Sequence, residues 1–192
     1  MDETIAGLLR QLQELEEQIE HRFEERKAEL AYTVAGRRVE FEQAVLAEHR
    51  RIKQGLVEYL RSSPWPTLLT APFIYGMIVP VAFMDLSVAV YQLICFSVWG
   101  VPRARRRDYV VIDRHKLAYL NGIEKLNCVY CEYANGVIAF TREVASRTEQ
   151  YWCPIRHATR PLGAHERVRE YLDYGDAEGW RTKLAEIRAK IR

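Results

Sequence analysis

Over the first sixty residues, apolar positions recur every eleven. One series is Leu8, Ile19, Leu30, Phe41 and Ile52; the other is Leu12, Phe23, Val34, Val45 and Leu56. Eleven residues fill three helical turns, so such a stripe stays on one face of a helix with a slight right-handed drift. The start also fits a heptad, through Ile5, Leu8, Leu12, Leu15 and Ile19. The pattern predicts one long amphipathic or coiled-coil helix over residues 1–61. Its stripe cannot be buried by the helix alone, so the sequence calls for a second copy, a partner protein or a membrane surface. Gly36 and Gly55 interrupt the pattern as candidate bends.

The pattern then changes. Between Arg61 and Arg103 the only charged residue is Asp85. A single transmembrane helix needs about 20 apolar residues, so residues 62–102 are too long for one straight span. They predict a transmembrane or re-entrant helical hairpin, Pro66–Met84 and Leu86–Gly100, turning near Asp85. Trp65 and Trp99 then sit at one interface, where aromatic side chains gather. A single kinked span is the alternative, and it puts Asp85 within the bilayer at a cost of about 3 kcal/mol. Basic residues flank both ends, Arg50, Arg51, Lys53 and Arg61 before and Arg103, Arg105, Arg106 and Arg107 after. The positive-inside rule places both flanks, and both termini, on the cytoplasmic side of an inner membrane. The second cluster is the candidate site for anionic lipid headgroups.

From residue 103 onward the chain reads as a small cytosolic, α-rich domain. Tyr109–Ile112 is a short β-like run. Residues 130–152 read as helical, with Ala134, Val137, Ile138, Val144 and Ala145 toward a core. Asp176 is a candidate cap for a last helix carrying Trp180, Leu184, Ile187 and Ile191 on one stripe. The predicted fold is thus mainly α in three parts: 1–61, 62–102 and 103–192.

Charge refines this picture. Residues 1–63 carry net −3 and residues 102–192 net +6, while the whole chain is only +2. That balance disfavours nucleic acid as a partner. Nine acids against four bases in residues 1–30 also disfavour anionic lipid for the first helix, leaving a homo-oligomer or protein partner for its stripe.

Three of the four cysteines fall in one stretch, Cys128-x-x-Cys131 and, after 21 residues, Cys153-x-x-x-His157. Three thiolates and an imidazole suit tetrahedral Zn²⁺ in a closed, structural site. The intervening residues must double back for the four to meet, and Asn135-Gly136 is the expected break. The Cys153–His157 pentapeptide also resembles the end of the ligand set in the NEET-type 2Fe-2S proteins, which implies iron or a 2Fe-2S cluster as the alternative cofactor. The stretch "DRHKLAYLNGIEKLNCVYC" through "TEQYWCPIRH" resembles an uncharacterised family of bacterial membrane-associated proteins over Tyr109–Ala158; no activity comes with that resemblance. No phosphate-binding loop, nucleophile elbow or H-E-x-x-H occurs, and no catalytic residues are assigned. The leading reading is a membrane-anchored structural or adaptor protein with a zinc-stabilised domain. Two others stay open: a membrane-anchored redox protein using the same four ligands, and a membrane-surface enzyme on a lipid-linked substrate using Asp113, His115 or Glu124.

Overall fold

A computed structural model describes residues 3–30, 32–35, 38–41, 43–159 and 161–191. The chain divides into two units, Met1–Leu60 with Asp113–Lys125, and Arg61–Ile112 with Leu126–Arg192. These cut across the expected three-part division. The apolar segment shares a unit with most of the C-terminal region, and residues 113–125 join the N-terminal one.

In the first unit, α1 (Glu3–Glu29) is charged on most faces and carries i,i+3 ion pairs of Arg22 with Glu25, Arg26 with Glu29 and Lys27 with Glu24. Its apolar residues Leu8, Leu12, Leu15, Ile19 and Phe23 are all exposed. The helix does not run on to residue 61. It gives way to an antiparallel hairpin, β1 (Tyr32–Ala35) and β2 (Arg38–Phe41), with Tyr32 opposite Phe41 and Ala35 opposite Arg38. The reason lies in the β-branched and aromatic residues of Tyr32–Ala35 and Arg38–Phe41, a strand composition that overrides the eleven-residue rhythm; the candidate bend at Gly36 lies outside the described residues. Two short helices follow, α2 (Gln43–Arg51) and α3 (Leu56–Ser62). The expected stripe is therefore divided among elements: Leu8, Leu12, Ile19 and Phe23 on α1, Leu30 just beyond it, Val34 and Phe41 on the strands, Val45 on α2, Ile52 after α2 and Leu56 on α3.

The second unit is built on one helical run, Trp65–Trp99. It comprises α4 (Trp65–Gly76), α5 (Ile78–Tyr91), a π-helical turn (Gln92–Phe96) and the short α6 (Ser97–Trp99). The expected turn at Asp85 does not occur: Asp85 lies inside α5. The irregularity falls instead at Met77, between α4 and α5. Pro80 has no N–H to give the Gly76 carbonyl and its ring crowds that carbonyl, so the helix is interrupted there. Gly100, in the left-handed region at φ 69°, ends the run and turns the chain back. Residues 101–105 return alongside it to α7 (Arg106–Tyr109).

The longest helix, α8 (Gly122–Trp152), is unbroken for 31 residues. Asn121 and Glu124 form its capping box: Asn121 Oδ1 accepts from the amides of Ile123 and Glu124, and Glu124 Oε2 accepts from the Asn121 amide. Gly136 is not a break but a point of close approach, where the backbone of Tyr109 and Val110 lies against the helix. One core joins Phe96, Val101, Ala104, Phe140, Val144 and Ile191, and a second joins Val81, Val110 and Val137. Ile138 and Ala145, expected inside, are exposed. At the C-terminus Asp176 caps α9 (Ala177–Thr182) through the Gly179 amide, and Lys183 separates it from α10 (Leu184–Ala189).

Candidate membrane-facing surface

The run Trp65–Trp99 has two unlike sides. Val81, Asp85, Gln92 and Phe96 are buried and Val88 half-buried, at spacings of three and four residues, so they form one stripe. Opposite them on α5 stand Val79, Phe83, Leu86 and Val90, exposed by 45–72 %. Along the whole run thirteen large apolar side chains are exposed, including Trp65, Leu69, Phe73 and Val98. Only 11 % of the most apolar stretch is buried. A core helix of a water-soluble domain would be buried for the most part, so this helix is long and apolar enough to meet a membrane, with most of its surface uncovered.

The inner stripe packs on α8, and the contacts fix the direction of the pair. Tyr75 donates a hydrogen bond to Asn127, Tyr133 donates to Asp85, Tyr91 meets Thr148 and Trp99 stacks on Tyr151 with ring centroids 5.4 Å apart. Partners on both helices rise together in sequence, so the two run parallel along nearly their full shared length.

Two polar groups lie on this otherwise apolar stripe, and each is met. Arg106 donates from Nε and Nη2 to both Asp85 carboxylate oxygens at 2.6–3.1 Å, and the Tyr133 hydroxyl adds a third donor at 3.0 Å. The Asp85 side chain is 12 % exposed, and an unpaired carboxylate so buried would be strongly destabilising. Gln92 binds the returning chain twice: its Oε1 accepts from the Ala104 amide and its Nε2 donates to the Ala104 carbonyl. The π-turn that begins at Gln92 shifts the helical phase by one residue, which keeps Phe96 and Trp99 on the packed side.

Of the expected headgroup cluster, Arg103, Arg105 and Arg107 are exposed, while Arg106 is committed to Asp85. This division could not be read from "RARRR", because the partner is 21 residues away.

The expected metal ligands are not brought together. Cys128 and Cys131 lie on α8 and Cys153 just beyond its end. With no break at Asn135-Gly136, the 25 steps from Cys128 to Cys153 extend about 37 Å. Pro154 does not begin a helical turn; Ile155 instead pairs with Leu172 in an isolated parallel bridge, and exposed His157 follows it. Among the described residues no group of three His, Cys, Asp or Glu could hold a metal ion. Burial, and then the neighbouring Glu149 carboxylate, raise the Cys153 thiol above its ordinary range. Of the candidate acid–base residues, Glu124 serves the α8 cap.

On the far side of α8 a charged cleft of about 610 Å³ is walled in part by Glu143, Ser146, His165 and Arg167. Burial alone would raise the Glu143 carboxyl, but hydrogen bonds from Arg147 (2.7 Å) and Arg167 (2.6 Å), with their charges, hold it below the usual range. Arg167 also donates to Gln150, which donates to the Ile187 carbonyl, and His165 Nε2 lies 2.7 Å from Glu149. The network ties the C-terminal segment to α8. Apart from the i,i+4 pair Glu143–Arg147 its members are 16–37 residues apart, and no local spacing announces those links.

No protein-family model, curated protein or solved structure matches this chain.

Proposed function

We propose that this chain is a membrane-surface adaptor. The outer face of Trp65–Trp99 lies in the plane of a bilayer, and α1 recruits a second copy or a protein partner. The observation that carries the reading is the two-sidedness of that run, thirteen exposed apolar side chains on one hand and a docked stripe on the other. An in-plane position is favoured over a crossing by α8. It runs parallel to the apolar helix with Arg142, Glu143, Arg147 and Glu149 on its second half, so a crossing in this arrangement would carry them into lipid. Each such charge costs about 2.5–3.5 kcal/mol at the bilayer centre even on the most lenient scale. Lying in the interface, the face gains roughly 1 kcal/mol or more per partly exposed large side chain. Arg103, Arg105 and Arg107 then meet anionic headgroups, worth about 1 kcal/mol each near the surface. Both termini stay on that side, which the basic flanks assign to the cytoplasm.

On α1, Leu8, Leu12, Leu15, Ile19 and Phe23 form the recruiting stripe at spacings of three and four. This reading requires no metal and no reaction.

The test is fractionation of the full chain with single substitutions. Phe83→Arg or Leu86→Arg should move the protein from the membrane to the soluble fraction, whereas Leu12→Asp should leave it on the membrane but dissociate the assembly. Protease added to sealed vesicles from the cytoplasmic side should leave no protected fragment of residues 65–99. A protected fragment, or membrane retention of both arginine variants, would refute the in-plane reading.

A further inference from the structure

Two thiols stand near the start of α8. Cys128 is half-buried and Cys131 is exposed, and both are free of disulfides. Cysteine is among the residue types most often buried, so this pair is not core filling. Cys131, Asn135, Ile138 and Arg142 follow one another at spacings of four, three and four, and all are exposed, so they trace the uncovered side of the helix. α8 is unbroken here. Residues three apart therefore rise about 4.5 Å along the axis and share a face, with Cβ atoms about 5–6 Å apart. The turn is held in place on both flanks. The Asn121–Glu124 box closes the helix start, and Asn135 Nδ2 donates to the Cys131 carbonyl at 2.9 Å.

That separation decides between the two things a dithiol does. A disulfide needs its Cβ atoms about 3.5–4.5 Å apart and its sulfurs at about 2.05 Å, so closing one would pull this turn of helix out of shape. A metal ion about 2.3 Å from each thiolate sulfur lets the sulfurs stand as much as about 4.6 Å apart, which the helix meets without moving. Thiolates are soft and select Cu(I) and Zn²⁺ over hard cations. Zn²⁺ takes four ligands in a tetrahedron, whereas closed-shell, monovalent Cu(I) is satisfied by a pair of thiolates in line. A pair fixed on the surface of a rigid helix suits the second.

We propose that Cys128 and Cys131 bind one Cu(I) ion as a two-thiolate surface site. Each thiol releases its proton to water as its sulfur takes the ion, which leaves a bis-thiolate complex of net charge −1. Because Cys131 is exposed, one side of the ion stays open to an incoming thiolate, so the ion can leave by thiolate exchange with the helix intact. The site uses neither Cys153 nor His157, which lie beyond the end of α8, and it does not depend on membrane attachment.

The experiment is an anaerobic competition in which ascorbate keeps the copper reduced. The full chain in lipid nanodiscs, with empty nanodiscs subtracted, is titrated into the coloured Cu(I) complex of bicinchoninate. Loss of colour equal to one Cu(I) per chain is expected. Cys128→Ser and Cys131→Ser should each leave the copper with the chelator, whereas Cys153→Ser should not change the titration; circular dichroism checks that all three keep their helix. The double variant Cys128→Ser, Asn135→Cys sets two thiols at i,i+4 on the exposed side and should restore uptake, a rescue that a merely structural role for Cys128 would not give. An equal amount of Zn²⁺ should not prevent the uptake. No withdrawal of copper from the chelator, uptake that survives Cys131→Ser or is lost with Cys153→Ser, failure of the i,i+4 rescue, or preference for Zn²⁺ would each overturn the proposal.

Discussion

Gly136 offers the sharpest test of how α8 is seated. In a helix interior alanine is better than glycine by about 1 kcal/mol, so Gly136→Ala should stabilise α8 if helix propensity decides. The surroundings say otherwise. A Cβ at Gly136 would come within 2.8 Å of the Tyr109 carbonyl oxygen, 2.8 Å of the Val110 Cα and 3.2 Å of a Val110 methyl. The first two are backbone atoms, which cannot rotate away as a flexible side-chain tip could. Overpacking of this kind costs about 1–3 kcal/mol, and rigid neighbours put it at the upper end. After the propensity gain, a net loss of about 2 kcal/mol remains. For a chain of this size that lowers the melting temperature by roughly 4–8 °C. The assay is thermal unfolding followed by circular dichroism in one detergent or nanodisc preparation. Gly7→Ala is the comparison: Gly7 lies in α1, and a Cβ there would meet nothing within 4 Å, so that substitution should not destabilise. An unchanged or raised melting temperature for Gly136→Ala would refute the close approach and reopen Asn135-Gly136 as a break.

Three further outcomes are expected. Arg106→Ala should cost about 2 kcal/mol by urea or thermal unfolding, below the 3–5 of a fully buried pair because Arg106 is 44 % exposed. Adding Asp85→Leu should recover most of that loss, and additive losses would argue against the pair. Glu143 has a folded-state pKa below its unfolded one, so its stabilising contribution is present above the ordinary carboxylate range and disappears as pH falls through the depressed value. Glu143→Gln should therefore flatten the acid limb of the stability–pH curve, and an identical limb would exclude the Arg147–Arg167 clamp. Because Cys131 and Cys153 are separated by about 33 Å of chain, mostly helix, a short bis-maleimide should join Cys128 to Cys131 but not Cys131 to Cys153 within one chain. An intrachain link between the last two would restore the four-ligand arrangement.

The parts of the fold that were legible are those set by composition or by local chemistry. Forty residues with one charge announce the apolar run whatever its shape. The Asp176 cap follows from short-range rules, and the Asn121–Glu124 box could have been found by them. What was not legible depends on partners distant in sequence. Asp85 reads as a hairpin tip when its environment is unknown, and becomes an interior residue only when Arg106 and Tyr133 are seen beside it. Gly136 reads as a helix break because glycine usually weakens helices. Here it permits contact between α8 and the Tyr109–Val110 backbone. The eleven-residue repeat is true of the letters, yet Tyr32–Ala35 and Arg38–Phe41 pair as strands because local strand composition outweighs a periodic apolar position. The cysteine pattern is one of spacing alone, and a given spacing has different reach in a helix and in a folded-back chain.

The pairing of Asp85 also imposes an order of events during synthesis. The carboxylate emerges 21 residues before Arg106 and 48 before Tyr133. At about 5–20 residues per second, roughly 2–10 s separate its appearance from the completion of its donors. During that interval the apolar segment has no α8 to lean on, and both of its sides are open to the translating cell. Until the second helix is made, the stripe of Val81, Asp85, Gln92 and Phe96 that the finished fold buries is uncovered. A ribosome stalled after the apolar run has left the exit tunnel, but before α8 has, would therefore hold the protein in its most aggregation-prone form.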